Sequence, residues 1–285
     1  MRLVFLARSD RPVQMVLLVS RKYLKATLLS FLVSLGLIAF SIFREITQPA
    51  SSQSSELLVA AAASIQPALQ EITPLYEKSS TNRQVKYNFG SSGALQQQIE
   101  QGAPIDIFIS AASKQMDKLE QQNLLVTKTR NNLLTNILVL VSPTTSKLKL
   151  TNFSQLLKPE IQRIAIGEPR SVPVGQYAVE VLKNLNILDR VKSKLVLGNN
   201  VRSVLAAVET GDADAGIVYV SDAKSSNKVM VSGIADTKLH APIVYPIAIL
   251  NSTKALESAK QYIKFLQTKP AQLVFKKYGF GIAKS

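Results

Sequence analysis

The sequence contains no cysteine and a single histidine, His240, in 285 residues. The absence of cysteine excludes disulfides, thiol catalysis, zinc ribbons and anchoring through a lipidated cysteine. A lone histidine excludes a metal site built from several imidazoles. Aromatic residues are few, at 6%, and charged residues make up 19%, whereas 46% of the chain is hydrophobic. This composition predicts a globular α/β protein that is long enough for two domains, and it argues against a disordered chain.

The first 55 residues differ in character from the rest. Six basic residues between Arg2 and Lys25 precede an apolar run at residues 26–43. A basic flank before such a run is typical of a signal peptide, or of a single membrane anchor whose basic end stays in the cytoplasm, and both alternatives remain open. Residues 47–55 are rich in Ser, Gln and Pro and indicate a flexible linker. We therefore expect residues 1–55 to direct export and the body to lie outside the cytoplasm.

The formal net charge is +15, and the body carries most of it. Residues 56–285 contain 27 basic and 17 acidic residues, against 7 and 2 in residues 1–55. The lysines of the body are spread over amphipathic helices and are not interleaved with aromatic residues, so we expect no nucleic-acid binding. A diffuse positive field of this kind still draws in anions.

Strand and helix patterns alternate along the body. Short apolar runs that suit buried parallel strands are followed by apolar residues at helical spacing, which predicts βαβ units. The pattern divides into a first lobe at residues 56–135, a second lobe at residues 136–244, and a segment at residues 245–285 that returns to the first lobe. We expect each lobe to be a mostly parallel sheet flanked by helices, with two crossing strands as the hinge and a ligand cleft between the lobes.

Two serine turns are the most informative local feature. Ser64 ends the apolar run 57–63, and Ser92 follows the alternating strand pattern at residues 85–89. Each serine stands where a helical pattern begins, so a hydroxyl and unpaired backbone N–H groups point outwards together. Neither turn holds a lysine or arginine, so an anion bound there is held by neutral donors and helix N-termini. We also expect the Ser64 hydroxyl to cap the helix that it precedes.

Three further positions are predicted to face the same cleft. The turns at residues 172–175 and 199–202 each open a helix and expose free N–H groups. Tyr219 ends an apolar strand, where its phenol can donate to an oxyanion. Because ligands of open α/β sheets bind at the carboxyl ends of strands, these turns and the two serine turns predict one shared anion site.

An ordered set of motifs resembles one known family. The set includes LLVAAAAS at residues 57–64, FGSSGALQQQIEQGAPIDIFISA at 89–111, GEPRSVPVGQYA at 167–178, NVR at 200–202 and GIVYVSDA at 216–223. Together with the terminal FKKYGF, it resembles the periplasmic molybdate-binding proteins of ABC importers, a branch of the type II periplasmic binding fold. The resemblance covers roughly residues 56 to 283 in order.

The resemblance implies a specific set of ligand-binding residues. Carried over by position, Ser64 and Ser92 give hydroxyl and backbone donors, Val174 and Val201 give backbone N–H groups, and Tyr219 gives its hydroxyl. The ligand would be molybdate, or tungstate, with molybdenum held only as the oxyanion and with no direct cation ligands. The family commonly has alanine at the position of Val174, and the bulkier valine could alter the size of the pocket.

The resemblance also implies partners and a location. A closed, ligand-loaded monomer would deliver its anion to an ABC permease driven by an ATPase, and it would need no cofactor. It would work in the periplasm or another extracytoplasmic space, with residues 26–43 as a membrane anchor if they are not cleaved. A binding protein for another tetrahedral oxyanion and a membrane-tethered anion sensor remain alternatives.

An enzyme is the rival from another class. A serine hydrolase requires a Gly-x-Ser-x-Gly elbow, whereas residues 90–93 read Gly-Ser-Ser-Gly. His240 is the only imidazole available as a base. We therefore expect a binding protein and no catalysis.

Overall fold

The structure, a computed structural model, describes residues 55–79 and 83–284. The predicted hydrophobic segment at residues 26–43, its basic flank and the linker up to residue 54 lie outside the described residues. Among the helices of the part that is described, none is both long enough and apolar enough to cross a membrane.

The described residues alternate between strands and helices as the sequence predicts. In chain order the strands are β1 (Ser55–Ala62), β2 (Arg83–Gly90), β3 (Ile107–Ile109), β4 (Asn131–Thr135), β5 (Leu138–Pro143), β6 (Ile164–Gly167), β7 (Leu195–Gly198), β8 (Ala215–Tyr219), β9 (Val229–Ile234), β10 (Val244–Ile249) and β11 (Gly281–Ile282). The α-helices are α1 (Gln66–Lys78), α2 (Ser92–Glu100), α3 (Ser113–Gln121), α4 (Pro173–Asn184), α5 (Leu188–Val191), α6 (Val201–Glu209), α7 (Val220–Lys224), α8 (Leu256–Leu266) and α9 (Lys269–Lys277).

The strands form two sheets with helices packed against them, which confirms the predicted α/β fold. The first sheet has the order β11-β4-β10-β3-β1-β2 and the second has the order β7-β6-β8-β5-β9. The chain leaves the first sheet after Thr135, enters the second at Leu138, and returns to the first at Val244. Two segments therefore connect the lobes, residues 136–137 and residues 235–243.

Each sheet is mixed rather than mostly parallel. Parallel pairs join β1 to β2 and β3 in the first sheet, and β6 to β7 and β8 in the second. Antiparallel pairs join β10 to β3 and β4, and β5 to β8 and β9, where the chain enters from the other lobe, and the two-residue β11 also runs against β4. A strand that arrives from the neighbouring lobe reaches the sheet from the opposite end, so its direction is reversed relative to the βαβ strands.

The strand register brings the predicted turns together in pairs. In the first lobe, β1 and β2 pair in parallel up to Ala62 and Gly90, so both strands end at the same level. In the second lobe, β6 and β7 end level at Gly167 and Gly198. The serine turns therefore lie side by side at one sheet edge, and the turns before α4 and α6 lie side by side at the other.

Buried apolar side chains fix the helices on which these turns depend. In α2, Leu95 and Ile99 pack with Phe108 of β3, while Met116 and Leu119 of α3 complete that cluster. In the second lobe, Val174 and Tyr177 of α4 and Val204 of α6 belong to the main core. The first turns of α2, α4 and α6 are thus held in place by burial of the residues one or two turns later.

Candidate anion-binding site

A small cavity lies where the two lobes meet. Both lobes line it, through Ala62, Ala63, Ser64, Gly90, Ser91, Ser92 and Ala111 of the first, and Val172, Pro173, Val174, Val201 and Tyr219 of the second. The cavity is small, with a volume of about 10 Å³, so it suits one compact ion and has no room for an extended organic ligand. The structure therefore brings together all five residues that the sequence singles out.

The Ser64 hydroxyl does not cap a helix, so the predicted cap is wrong. A short 3₁₀ turn, Ala63–Ile65, stands between β1 and α1, and Ile65 occupies the cap position without a side-chain hydrogen bond. The hydroxyl of Ser64 instead lies 2.8 Å from the hydroxyl of Tyr245 on β10. The extra turn moves the serine away from the first N–H groups of α1 and leaves its side chain beside the cavity.

Ser92 is the first residue of α2, and its neighbour Ser91 caps that helix. The Ser91 hydroxyl accepts from the backbone N–H of Ala94 at 3.3 Å. The Ser92 hydroxyl accepts from the backbone N–H of Ala111 at 2.9 Å, and the side chain is fully buried. Because a hydroxyl has one proton and two lone pairs, Ser92 retains its own proton for a donor bond into the cavity.

Val174 and Val201 contribute main-chain groups. Val201 is the first residue of α6 and follows the cap Asn200, whose side chain accepts from Ser203 N–H at 3.0 Å. Val174 is the second residue of α4. The first N–H groups of a helix have no acceptor within that helix, so both amides are free to face a ligand.

Tyr219 ends β8 with its phenol enclosed. Its side chain is 1% exposed, and within residues 55–79 and 83–284 its hydroxyl has no hydrogen-bond partner. Burial, reinforced by the neighbouring tyrosines, raises the pKa of Tyr219 well above its ordinary 10, so the phenol keeps its proton. A buried hydroxyl without a partner is costly, and a ligand oxygen in this cavity would accept its proton.

The field at the cavity is positive without any cationic side chain. None of the described residues that line it is charged. Three helices of nine residues or more, α2, α4 and α6, begin at residues that line the cavity. Helix N-termini carry a partial positive charge, so this arrangement suits one anion held by neutral donors.

Two charged residues near the site act elsewhere. Asp106 accepts from Leu58 N–H at 2.8 Å and from the Thr253 hydroxyl at 2.6 Å. It joins chain segments within the first lobe. Arg202 donates to the Ser225 hydroxyl at 2.8 Å and does not line the cavity.

Sequence reasoning missed the polar groups behind Ser64. Tyr245 lies 181 residues further along the chain and reads as one more residue of an apolar strand. Asn136, in the first connecting segment, donates to the hydroxyls of Tyr245 and Ser221. Only the folded topology brings these residues together, and no local pattern signals it.

The family of the chain follows from comparison with known proteins. Residues 57–281 match the family of bacterial extracellular solute-binding proteins. The chain belongs to this family.

Individual relatives within the solute-binding proteins are similar over almost their whole length. A Bacillus subtilis protein that carries the name of an ABC transporter substrate-binding lipoprotein is 44% identical, covering 86% of this chain and 95% of its own. The molybdate-binding protein ModA of Haemophilus influenzae is 38% identical, covering 80% and 90%. The solved periplasmic molybdate-binding protein of Azotobacter vinelandii matches with a TM-score of 0.72 at 26% identity, covering 80% and 100%.

Proposed function

We propose that this solute-binding protein captures one molybdate ion in the cavity between its lobes and delivers it to an ABC permease. The observation that carries the proposal is the convergence of five neutral donors on one small cavity with no charged lining residue. The names of the relatives from Haemophilus influenzae and Azotobacter vinelandii supply the identity of the anion.

The donors divide the four oxygens of a tetrahedral dianion among them. The hydroxyls of Ser64 and Ser92 approach from the first lobe. The N–H groups of Val174 and Val201 and the hydroxyl of Tyr219 approach from the second. Hydrogen bonds to a charged acceptor contribute about 1.5–3 kcal/mol each, so several together stabilise a dianion without a counter-charge.

The same donors select among anions. In the proposed site Ser92, Tyr219 and the two valine amides all act as donors. The proton of a protonated anion would therefore face a donor and find no acceptor in the cavity. Phosphate is protonated at neutral pH and is disfavoured for this reason. Sulfate is unprotonated but smaller, and a rigid cavity leaves some donors unpaired around it.

The structure has the lobes in contact, as capture by closure requires. The backbone N–H of Gly93 at the start of α2 donates to the carbonyl of Ser171 in the second lobe at 2.9 Å. In the proposed cycle the lobes close on the ion by bending at the two connecting segments, and the closed monomer docks on the permease, whose ATPase powers transport. Residues 26–43 would direct export or anchor the protein to the membrane. The cavity lining offers no acid or base, so we expect no catalysis.

Calorimetry and native mass spectrometry test the assignment. Titration of the purified protein with molybdate should saturate near one anion per chain, with or without a chelator of divalent cations. Sulfate should bind about 5- to 150-fold more weakly, because one unpaired buried donor costs about 1–3 kcal/mol. Equal affinity for sulfate, or a requirement for a cation, would contradict the proposed site.

Substitution of Ser92 tests its role. Ser92→Ala should weaken molybdate binding by about 1.5–3 kcal/mol, since a donor to a charged group is lost. Ser232→Ala is the matched control. Ser232 is also a buried serine, but its hydroxyl lies 2.7 Å from the Ser142 hydroxyl and does not line the cavity. The control should bind molybdate normally. Unchanged affinity in Ser92→Ala would place the site elsewhere.

A further inference from the structure

The hydroxyl of Tyr245 links the predicted anion site to the connections between the lobes. It lies 2.8 Å from the Ser64 hydroxyl and 3.1 Å from the side-chain nitrogen of Asn136. The side chain of Tyr245 is fully buried, and it stands on β10, directly after the second connecting segment. Asn136 lies in the first connecting segment. A chain of hydrogen bonds thus runs from both connections to the cavity.

The direction of these hydrogen bonds is fixed at the Asn136 end. The side-chain oxygen of Asn136 accepts from the backbone N–H of Ile137 at 2.9 Å, so the amide nitrogen must face Tyr245 and Ser221. That nitrogen has two hydrogens and no lone pair to offer, and it donates one to each hydroxyl. Among the described residues, Ser64 and Asn136 are the hydrogen-bond partners of the Tyr245 hydroxyl, and the Asn136 nitrogen cannot accept. The buried Tyr245 proton therefore has the Ser64 oxygen as its acceptor, since leaving it unpaired would be costly.

The consequence appears at the cavity. A serine hydroxyl that accepts a proton from Tyr245 has its own proton left to donate. Burial raises the pKa of Tyr245 well above its ordinary 10, and the nearby charge of Asp222 adds to the shift, so the phenol stays a donor. Without Tyr245, the Ser64 hydroxyl could turn either its proton or a lone pair towards the ligand.

We propose that Asn136 and Tyr245 are positioning residues that hold Ser64 as a hydrogen-bond donor towards the bound anion. The inference rests on the proposed function, because it assigns a role only if the cavity holds an oxyanion. Neither residue touches the anion, since neither lines the cavity.

The same bonds depend on how the lobes are arranged. The amide of Asn136 joins Tyr245 of the first sheet to Ser221 at the start of α7 in the second lobe. Both bonds form in the arrangement described here. Asn136 therefore bonds to one hydroxyl in each lobe from the segment that connects them.

A double-mutant cycle in the full chain tests the proposal. Tyr245→Phe removes only the hydroxyl, and we expect molybdate affinity to fall by about 3- to 10-fold, the value of one hydrogen bond. In a Ser64→Ala background, Tyr245→Phe should cause no further loss, because its effect passes through Ser64. Asn136→Ala should also weaken molybdate binding in the wild-type background and have no effect in the Ser64→Ala background. Asn136→Ala serves as the second variant if Tyr245→Phe does not fold.

Tyr262→Phe is the matched control. Tyr262 is a fully buried tyrosine whose hydroxyl pairs with the hydroxyl of Tyr87 at 2.6 Å, away from the cavity. Tyr262→Phe should lower the free energy of unfolding and leave the affinity for molybdate as in the wild type.

The outcomes separate the two proposals. If the folded wild type releases no heat with molybdate, the proposed function fails. If the wild type binds but Tyr245→Phe binds equally well, the positioning role is wrong. The positioning role is also wrong if the losses from Ser64→Ala and Tyr245→Phe multiply in the double variant.

Discussion

The two lobes bring different chemistry to the same cavity. In the proposed site the first lobe supplies side chains, the hydroxyls of Ser64 and Ser92, whereas the second supplies the main-chain N–H groups of Val174 and Val201 together with the Tyr219 hydroxyl. A side-chain donor is lost when its residue changes. A main-chain donor survives almost any substitution, because it depends on where a helix begins. The proposed first half of the site therefore depends on residue identity, whereas the second half depends on residue identity only at Tyr219 and on backbone geometry at Val174 and Val201.

The lobes also differ in buried charge. Among the described residues, the buried polar side chains are serines, two glutamines and one carboxyl, that of Asp222 in α7. Asp222 accepts from the backbone N–H of Tyr219 at 3.2 Å, so it supports the strand end that carries the phenol. We expect the second lobe alone to respond to pH through a buried acid.

The largest expected effect is on the free energy of unfolding, and it comes from Asp222. Burial raises its pKa from the ordinary 3.8 to about 7, partly offset by the charge of Arg202 and by the N–H of Tyr219. Between pH 4 and pH 7 the folded protein keeps a proton that the unfolded chain has released, so this group's contribution to stability falls as pH rises and is constant above pH 7. At about 1.4 kcal/mol per pKa unit, the change is on the order of 4 kcal/mol.

Asp222→Asn isolates that contribution. The amide remains neutral and its oxygen still accepts from Tyr219 N–H, so the stability of the variant relative to the wild type should improve as pH rises from 4 to 8. Denaturant unfolding at several pH values measures this difference, and the other carboxyl groups cancel in it. Parallel pH profiles for the two proteins would show that Asp222 is ionised in the fold.

Val201→Pro tests the main-chain half of the site directly. Proline has no N–H but suits the first position of a helix, and the preceding Asn200 is already extended, as a residue before proline must be. We expect molybdate affinity to fall by about 1.5–3 kcal/mol, as for a lost bond to a charged group, with helix α6 intact. Val201→Ala keeps the N–H and is the control. If both variants bind alike in calorimetry, the Val201 amide is not a ligand.

The next largest expected effect on molybdate affinity comes from a substitution at the contact between the lobes. A Cβ atom on Gly93 would lie 2.4 Å from the carbonyl oxygen of Ser171, so Gly93→Ala forces the lobes apart in the arrangement described here. Overpacking of this kind costs about 1–3 kcal/mol, and we expect molybdate affinity to fall by about 1–2 kcal/mol. Small-angle scattering should show a larger radius of gyration with saturating molybdate than for the wild type. An equal radius would mean that closure does not need this contact.

The sequence predicted the side-chain donors and the helix starts of the site, but not the hydrogen bonds of Tyr245 and Asn136 next to Ser64. Periodicity and turn position predicted that Ser64, Ser92, Tyr219 and the turns at residues 172–175 and 199–202 share one cleft. The resemblance to the molybdate-binding family then singled out Val174 and Val201 within those turns. The role of Ser64 in a helix cap was wrong because a 3₁₀ turn cannot be distinguished from a helix start by apolar spacing. The link from Ser64 to Tyr245 joins residues 181 apart, and only the pairing of β10 beside β3 creates it.

The sequence patterns predict no element at β4, β9, β11 or α3, and these four share a physical cause. Strand β4 has the sequence NNLLT and contains only two buried residues, and β9 and the two-residue β11 are edge strands. Helix α3 is mostly polar, with only Met116 and Leu119 as buried apolar residues. Such elements are held by the sheet or helix beside them, so their own sequences carry little periodic signal.

The smallest expected effect is that of Val174→Ala. The side chain is 1% exposed and lines the cavity, but the proposed ligand is the N–H group, which alanine retains. Alanine also suits the first turn of α4. We expect the affinity for molybdate to change by less than about 0.5 kcal/mol, while loss of buried methyl groups lowers the free energy of unfolding by about 1 kcal/mol or more. Calorimetry with molybdate and sulfate measures both affinity and selectivity. A large loss of molybdate affinity would mean that the valine side chain sets the cavity size, and the second half of the site would then depend on residue identity as the first half does.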